Sequence, residues 1–305
     1  MQFELPDELM FLKNRKMPQK QSSAMMEGKV VVITGATSGV GLEAVKRLAQ
    51  GKAHIVMVSR NAEKLARLKI KLQSDYGVQS DAYVADLCDL QDVRRAAEGI
   101  LQAYPRIDVL INCAGMHSTK ATYTSEGFEK VFCVNHLASF LLTNLLLERM
   151  KESAPSRILQ VNSEGHRFNG LDTDDLQWKK RIYTGLRGYG ASKTAQLMTL
   201  WEMNDELEGT GVTINAMHPG DVKTNIGMSN GWIYRFFNRN FIRPFLSDPQ
   251  VSGESIYYLV ADPAMNDVTG KFFHLTVEEI PARHAMDREK GKLVYGISKQ
   301  LTGLK

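Results

Sequence analysis

From residue 29 onward, short runs of β-branched and apolar residues alternate with longer segments rich in Ala, Leu, Lys and Glu, and this alternation limits the folds open to the chain. The runs lie at 29–34, 54–59, 81–85, 109–112, 157–161 and 212–216, each close to the usual length of a strand. The segments between them, 41–50, 62–76, 90–103, 126–150 and 189–207, have the length and composition of helices. Strands that are apolar on both faces and separated by helices imply a parallel sheet covered on both sides. Right-handed crossovers then favour an α/β architecture with a Rossmann-type, doubly wound parallel sheet. No Pro- or Ser-rich linker divides the chain. We therefore expect an N-terminal arm at 1–27 and one domain at 28–305, with an embedded lid near 225–250.

Composition narrows the function. The chain has 305 residues, 43% of them hydrophobic and 24% charged, as in an ordinary globular protein. Its net charge of +4 is spread evenly, without the clustered basic face of a nucleic-acid binder, so no nucleic acid is expected as a partner. Cys88, Cys113 and Cys133 contain no Cys-x-x-Cys pair, which fits a reducing, cytoplasmic setting without a disulfide framework. The seven histidines lack the three- or four-residue spacings that converge on a metal from one helix, so no metal is expected. The stretch 137–147 is too short to span a bilayer, which takes about 20 apolar residues, and reads as a buried core helix. Residues 1–21 mix charged and apolar side chains, unlike a secretory signal, and read as a surface arm.

Three groups of residues carry chemistry. Directly after the first strand comes a turn containing Gly35, Thr37, Ser38, Gly39, Val40 and Gly41, followed by a helix. Glycines at this spacing let the backbone turn sharply and approach a pyrophosphate, while the helix N-terminus offers free N–H groups and partial positive charge. The second strand ends at Ser59, Arg60 and Asn61. An NAD-preferring site would place an acid there, whereas a guanidinium can pair with a 2′-phosphate, so NADP(H) is expected over NAD(H). The third group is Tyr189 and Lys193, four apart at the start of a helical segment, with Ser163 at the end of the fifth strand. On one helix face an ammonium could draw a phenol's pKa toward working pH. A phenol so tuned can exchange a proton with an alcohol or carbonyl oxygen to which Ser163 also hydrogen-bonds.

The order of these motifs resembles the short-chain dehydrogenase/reductase family over about residues 29–280. The resemblance rests on Thr34-Gly-x-x-x-Gly-x-Gly41, Asp86, Asn112-Cys-Ala-Gly115, Asn135, Ser163, Tyr189-x-x-x-Lys193 and Pro219-Gly220-x-Val222-x-Thr224. It implies about seven strands in the order 3-2-1-4-5-6-7. It also implies Tyr189 as acid/base, Ser163 as donor to the substrate oxygen, Lys193 as ribose ligand and Asn135 as holder of a proton relay. Asp86, Leu87, Asn112, Ala114 and Gly115 would flank adenine and ribose, and Pro219, Gly220, Val222 and Thr224 the nicotinamide end. Two details depart from the common pattern: Asn162 stands where many members have a first serine, and Cys113 replaces the second Asn of Asn-Asn-Ala-Gly.

Within the family, His218-Pro-Gly220, Arg60, Gly270-Lys-Phe-Phe273 and the closing 298–303 segment resemble the retinol dehydrogenase-like branch. The expected activity is NADP(H)-dependent hydride transfer between the nicotinamide and a lipophilic alcohol or carbonyl, a retinol dehydrogenase- or carbonyl reductase-like reaction. The alternative is a catalytically silent NADP-binding sensor or scaffold. Trp232, Tyr234, Phe236, Phe237, Phe241 and Phe245 fall in the lid, where the family places its substrate loop. If 232–243 are helical, Arg235, Arg239 and Arg243 share one face, either solvated or laid on an anionic membrane surface. The helices at 126–150 and 189–207 are long and apolar enough to cover the sheet and a partner subunit, so the resemblance implies a homodimer.

Overall fold

The structure, a computed structural model, describes residues 17–220 and 248–305. Val222, Thr224 and nearly all of the lid, including its aromatics and arginines, lie outside the described residues. Among the described residues, eight strands form one sheet: β1 (Val30–Thr34), β2 (His54–Ser59), β3 (Ser80–Val84), β4 (Val109–Asn112), β5 (Ser156–Val161), β6 (Val212–His218), β7 (Phe272–His274) and β8 (Val277–Glu278). Their order is 3-2-1-4-5-6-7-8, so the doubly wound topology expected from the alternation holds. The sheet gains a strand over the expected seven: β8 folds back antiparallel on β7, pairing His274 with Val277.

Among the described residues, seven helices cover the sheet: α1 (Gly39–Gln50), α2 (Ala62–Tyr76), α3 (Leu90–Ala103), α4 (Lys130–Glu152), α5 (Gly185–Glu206), α6 (Gln250–Ala261) and α7 (Arg288–Thr302). Alternation along the strands divides the core in two. In β1, Val31 and Ile33 pack under α1, α2 and α6, whereas Val32 packs on the opposite side under α3, α4 and α5. Burying both faces explains why the strands read as continuous apolar runs rather than alternating ones. α4 meets the length and composition of a membrane span but is mostly buried in the fold, consistent with its reading as a core helix.

Helix boundaries follow caps that periodicity does not reveal. α5 begins at Gly185, with Thr184 accepting from the Arg187 amide, so Tyr189 lies in the second turn rather than opening the helix. α4 contains a π-helical stretch at Cys133–Leu137 that carries Asn135.

The helices α4 and α5, on which a partner subunit was expected, carry contacts with this chain's own α7 and the turn before it. The Trp201 indole donates to the Ala285 carbonyl at 2.8 Å, and the Tyr295 hydroxyl donates to Glu206 at 2.6 Å. Arg288 pairs with Glu202 and Asp205, while the Phe140 and Tyr295 rings meet edge to face at 5.4 Å. The described part of the N-terminal arm is also tied down: Met26 is buried, its amide donates to the Gly51 carbonyl, and Arg47 donates to the Ser22 carbonyl.

Candidate active site

The turn after β1 is built from backbone. Gly35 has φ +71°, and a β-carbon placed there would lie 2.8 Å from the Ala114 α-carbon. A β-carbon on Gly41 would overlap the Gly35 carbonyl. Only glycine fits both positions, as a close approach of chain segments requires. Thr34 accepts at its hydroxyl from the amides of Cys113 and Ala114, 3.0 Å each, which fastens the loop after β4 against the glycine turn. Ser38 precedes α1 without a side-chain cap, whereas Asn61 caps α2 and Asp89 caps α3. The first amides of α1 are therefore left for an anion, and the turn fits the pyrophosphate of a dinucleotide.

Thr37 and Ser59 join their hydroxyls at 3.2 Å across the ends of β1 and β2, and Arg60 is exposed beside them. The Asn61 side chain is occupied by its cap, accepting from the Lys64 amide at 2.8 Å. Asp86 accepts from the Cys88 amide at 3.0 Å, with Leu87 half-buried at the same edge. Asn112 is turned inward: its side chain is buried and donates to the Thr143 hydroxyl at 2.8 Å, serving the packing of β4 on α4.

At the ends of β5 and β6 the catalytic candidates meet. Tyr189 packs its ring against Gly165, where a β-carbon would come within 2.9 Å of it and 3.4 Å of the Ser163 hydroxyl oxygen. Burial pushes the Tyr189 phenol above its ordinary value, and a hydrogen bond with Ser163 partly opposes that. Lys193 shares the helix face of Tyr189, as the four-residue spacing requires, with its ammonium 6.0 Å from the ring centroid. That ammonium donates to the Val161 carbonyl at 2.8 Å and to Gln196, so the group lowering the phenol here is Ser163 rather than Lys193. Burial brings Lys193 down to about 8.

Asn135 sits in the π-helical stretch, a distortion common at functional sites. It clamps the loop after β4, accepting from the Met116 amide at 2.8 Å and donating to the Met116 carbonyl at 3.1 Å. It also donates to Ser192, which in turn donates to the Tyr189 carbonyl. Pro219 and Gly220 follow β6, Gly220 with φ +80°. Burial raises the Cys113 thiol to about 12, which suits the packing role expected of it rather than that of a nucleophile.

Several residues here were given no role from the sequence. His117 lies edge-on to Tyr189 at 5.8 Å between ring centroids, and burial lowers its imidazole. Asn162 joins β5 to α5, donating to the Lys193 carbonyl and to Gln196; its departure from the family serine was the one available hint. Glu164, His218 and His274 come from three separate segments, yet their ligand-type atoms lie within 4.8 Å of one another. The expectation of no metal rested on local spacing, which cannot register such a cluster. The Glu164 carboxylate is already paired with Arg167 and faces His274 at 3.4 Å. Burial raises it, but the His274 hydrogen bond and the charges of His218 and Arg167 prevail and hold it at about 2.

The short chain dehydrogenase family model matches residues 29–231. Human retinol dehydrogenase 13 is 35% identical over 288 residues, covering 93% of this chain and 87% of the relative. Mouse retinol dehydrogenase 14 is 34% identical over 305 residues, covering 96% and 91%. Among solved structures, an uncharacterised protein from Mycobacterium paratuberculosis superposes with a TM-score of 0.76 at 26% identity, covering 94% of this chain and 99% of that one. A blue fluorescent protein from a metagenomic library, in complex with NADPH, gives a TM-score of 0.64 at 26% identity, covering 81% and 96%. The glycine turn, the Ser163 and Tyr189 contact and these matches agree: the chain belongs to the short-chain dehydrogenase family, in its retinol dehydrogenase-like branch, and is an alcohol/carbonyl oxidoreductase.

Proposed function

We propose that the protein is an NADP(H)-dependent oxidoreductase acting on a lipophilic alcohol or carbonyl. The observation that carries this reading is the Tyr189 ring seated against Gly165 and Ser163, across the sheet edge from the glycine turn. The nicotinamide, when bound, gives or takes the hydride. The chain's own residues do the rest. Gly35, Gly39 and Gly41 with the amides of α1 hold the pyrophosphate. Tyr189 donates a proton to the carbonyl oxygen in reduction, or takes one from the alcohol in oxidation, and Ser163 holds that oxygen. Lys193, still largely protonated near neutral pH with its value at about 8, offers its ammonium to a ribose hydroxyl. Arg60, exposed just after β2, would read a 2′-phosphate, and its guanidinium chemistry supports NADP(H). Names of the relatives and the aromatic content of 232–245 support a lipophilic substrate.

The test is NADPH consumption with a panel of aldehydes, ketones and quinones, and NADP reduction with lipophilic alcohols. Tyr189→Phe should lower turnover by at least about a hundredfold while NADPH affinity stays within about twofold, because only the proton donor is deleted. Near wild-type turnover in the Phe variant, on a substrate whose chemical step limits the rate, would remove Tyr189 from its role. NADPH binding without turnover on any member of the panel would favour a sensor or scaffold.

A further inference from the structure

Ser163 begins a turn, Glu164–Phe168, in which three side chains reach into one distant stretch of the chain. The fully buried Arg167 guanidinium pairs with Glu164 beside it, with Glu279 and, at 2.9 Å, with the Ile280 carbonyl. Glu164 itself faces His274. The buried His166 receives the Ala282 amide proton at Nε2, 3.1 Å away. That fixes the tautomer: Nε2 keeps its lone pair, and Nδ1 carries the hydrogen donated to the Ser163 carbonyl at 2.7 Å. His284 closes the set by donating from Nε2 to the His166 carbonyl at 2.7 Å. All of these anchors fall within 274–284, beyond the 29–231 stretch shared with the family model.

Two carboxylates and one guanidinium in a dry interior are an expensive way to gain stability, because desolvation offsets most of their attraction. Their directional geometry instead defines where the turn sits. We propose that His166 and Arg167 are positioning residues, which hold Ser163 in register with Tyr189 by anchoring the turn after β5 to residues 279–282. The proposal rests on Ser163 as the group that holds the reacting oxygen. A rotation of that turn would move the serine hydroxyl away from the phenol, and errors near 1 Å in catalytic geometry can cost about a hundredfold in rate.

The experiment is a double-mutant cycle on the single-turnover rate, with NADPH affinity and thermal unfolding measured in parallel. Arg167→Lys keeps the charge but cannot bridge two carboxylates and a carbonyl. We expect it to slow the otherwise intact enzyme by about tenfold, with NADPH affinity within about twofold, and to cause no further slowing in a Ser163→Ala background. Equal slowing in both backgrounds, or none in the first, would overturn the proposal. His166→Leu and His166→Gln form a second, independent pair. The leucine should slow the reaction like Arg167→Lys, and the glutamine, which can accept from Ala282 and donate to Ser163, should restore it. A leucine variant at the wild-type rate would also overturn the proposal. If Ser163→Ala alone leaves the rate unchanged, the role given to Ser163 fails first, and that result is separate from an additive cycle.

Discussion

β1 and β5 each end in a turn that must present polar groups at the carboxyl edge of the sheet, and the two turns are made of different materials. The first consists of glycines and backbone amides packed so closely that a single β-carbon would strike Ala114 or Gly35. The second consists of charged and aromatic side chains, and its partners lie more than a hundred residues away, at 274–284. A diphosphate can be bound by backbone alone, so its site needs small residues at fixed local spacing. Holding one serine hydroxyl against one phenol needs a rigid frame, which this fold assembles from remote segments.

The largest expected effect comes from filling the first turn. Gly41→Ala would force the backbone of that turn to move, since the added carbon overlaps the Gly35 carbonyl. We expect affinity for NADPH and NADH alike to fall by at least about a hundredfold, with about 1–3 kcal/mol lost from unfolding in urea. Wild-type binding by this variant would mean that the turn is not limited by its backbone. Arg60→Ala should act only on the added phosphate. A charged hydrogen bond contributes about 1.5–3 kcal/mol, so NADPH should weaken by about ten- to a hundredfold while NADH stays nearly unchanged. Titration of both cofactors decides this, and equal losses would make Arg60 a solvated surface residue.

The last test concerns acid and touches stability rather than cofactor binding. Burial holds His166 at about 4 and His136 at about 3, against an ordinary value of 6.5. Both therefore stay neutral in the folded chain while the unfolded chain takes up protons. Their contribution is fully present above pH 6.5 and declines as pH falls toward 4, by up to about 1.4 kcal/mol per pH unit for each group. Urea unfolding at pH 7, 6 and 5 should show the decline, and His166→Gln should reduce its slope by about one proton. An unchanged slope would mean that His166 is not held neutral. The glycine turn contains no titrating side chain, so its response should not vary over this range.

The same contrast explains what could be read from the sequence. The strands themselves, both faces of the core and the glycine turn follow from local patterns such as Val31, Val32 and Ile33 feeding opposite sides of the sheet, whereas the strand order came with the family resemblance. Tyr189 and Lys193 do share a face, as their spacing requires. The destination of the Lys193 ammonium, at the Val161 carbonyl, depended on where β5 ends. Asn112 matches the family motif but spends its side chain on Thr143, because a strand residue's facing is set by the packed sheet. The π-helical stretch at Asn135, the start of α5 at Gly185 and the short β8 depend on caps and tertiary contacts. The Glu164, Arg167 and Glu279 cluster joins positions 112 residues apart and leaves no periodic trace.

α7 lies along the helices that carry Asn135, Tyr189 and Lys193, anchored through Glu202, Glu206 and Phe140, while Trp201 holds the turn before it at Ala285. When such support comes from a second chain, it weakens as the protein is diluted, because occupancy follows mass action. Here it is tethered, and its local concentration is set by the length of the 275–287 connection rather than by the number of molecules in the cell. The catalytic framework should therefore keep its shape from nanomolar to micromolar protein.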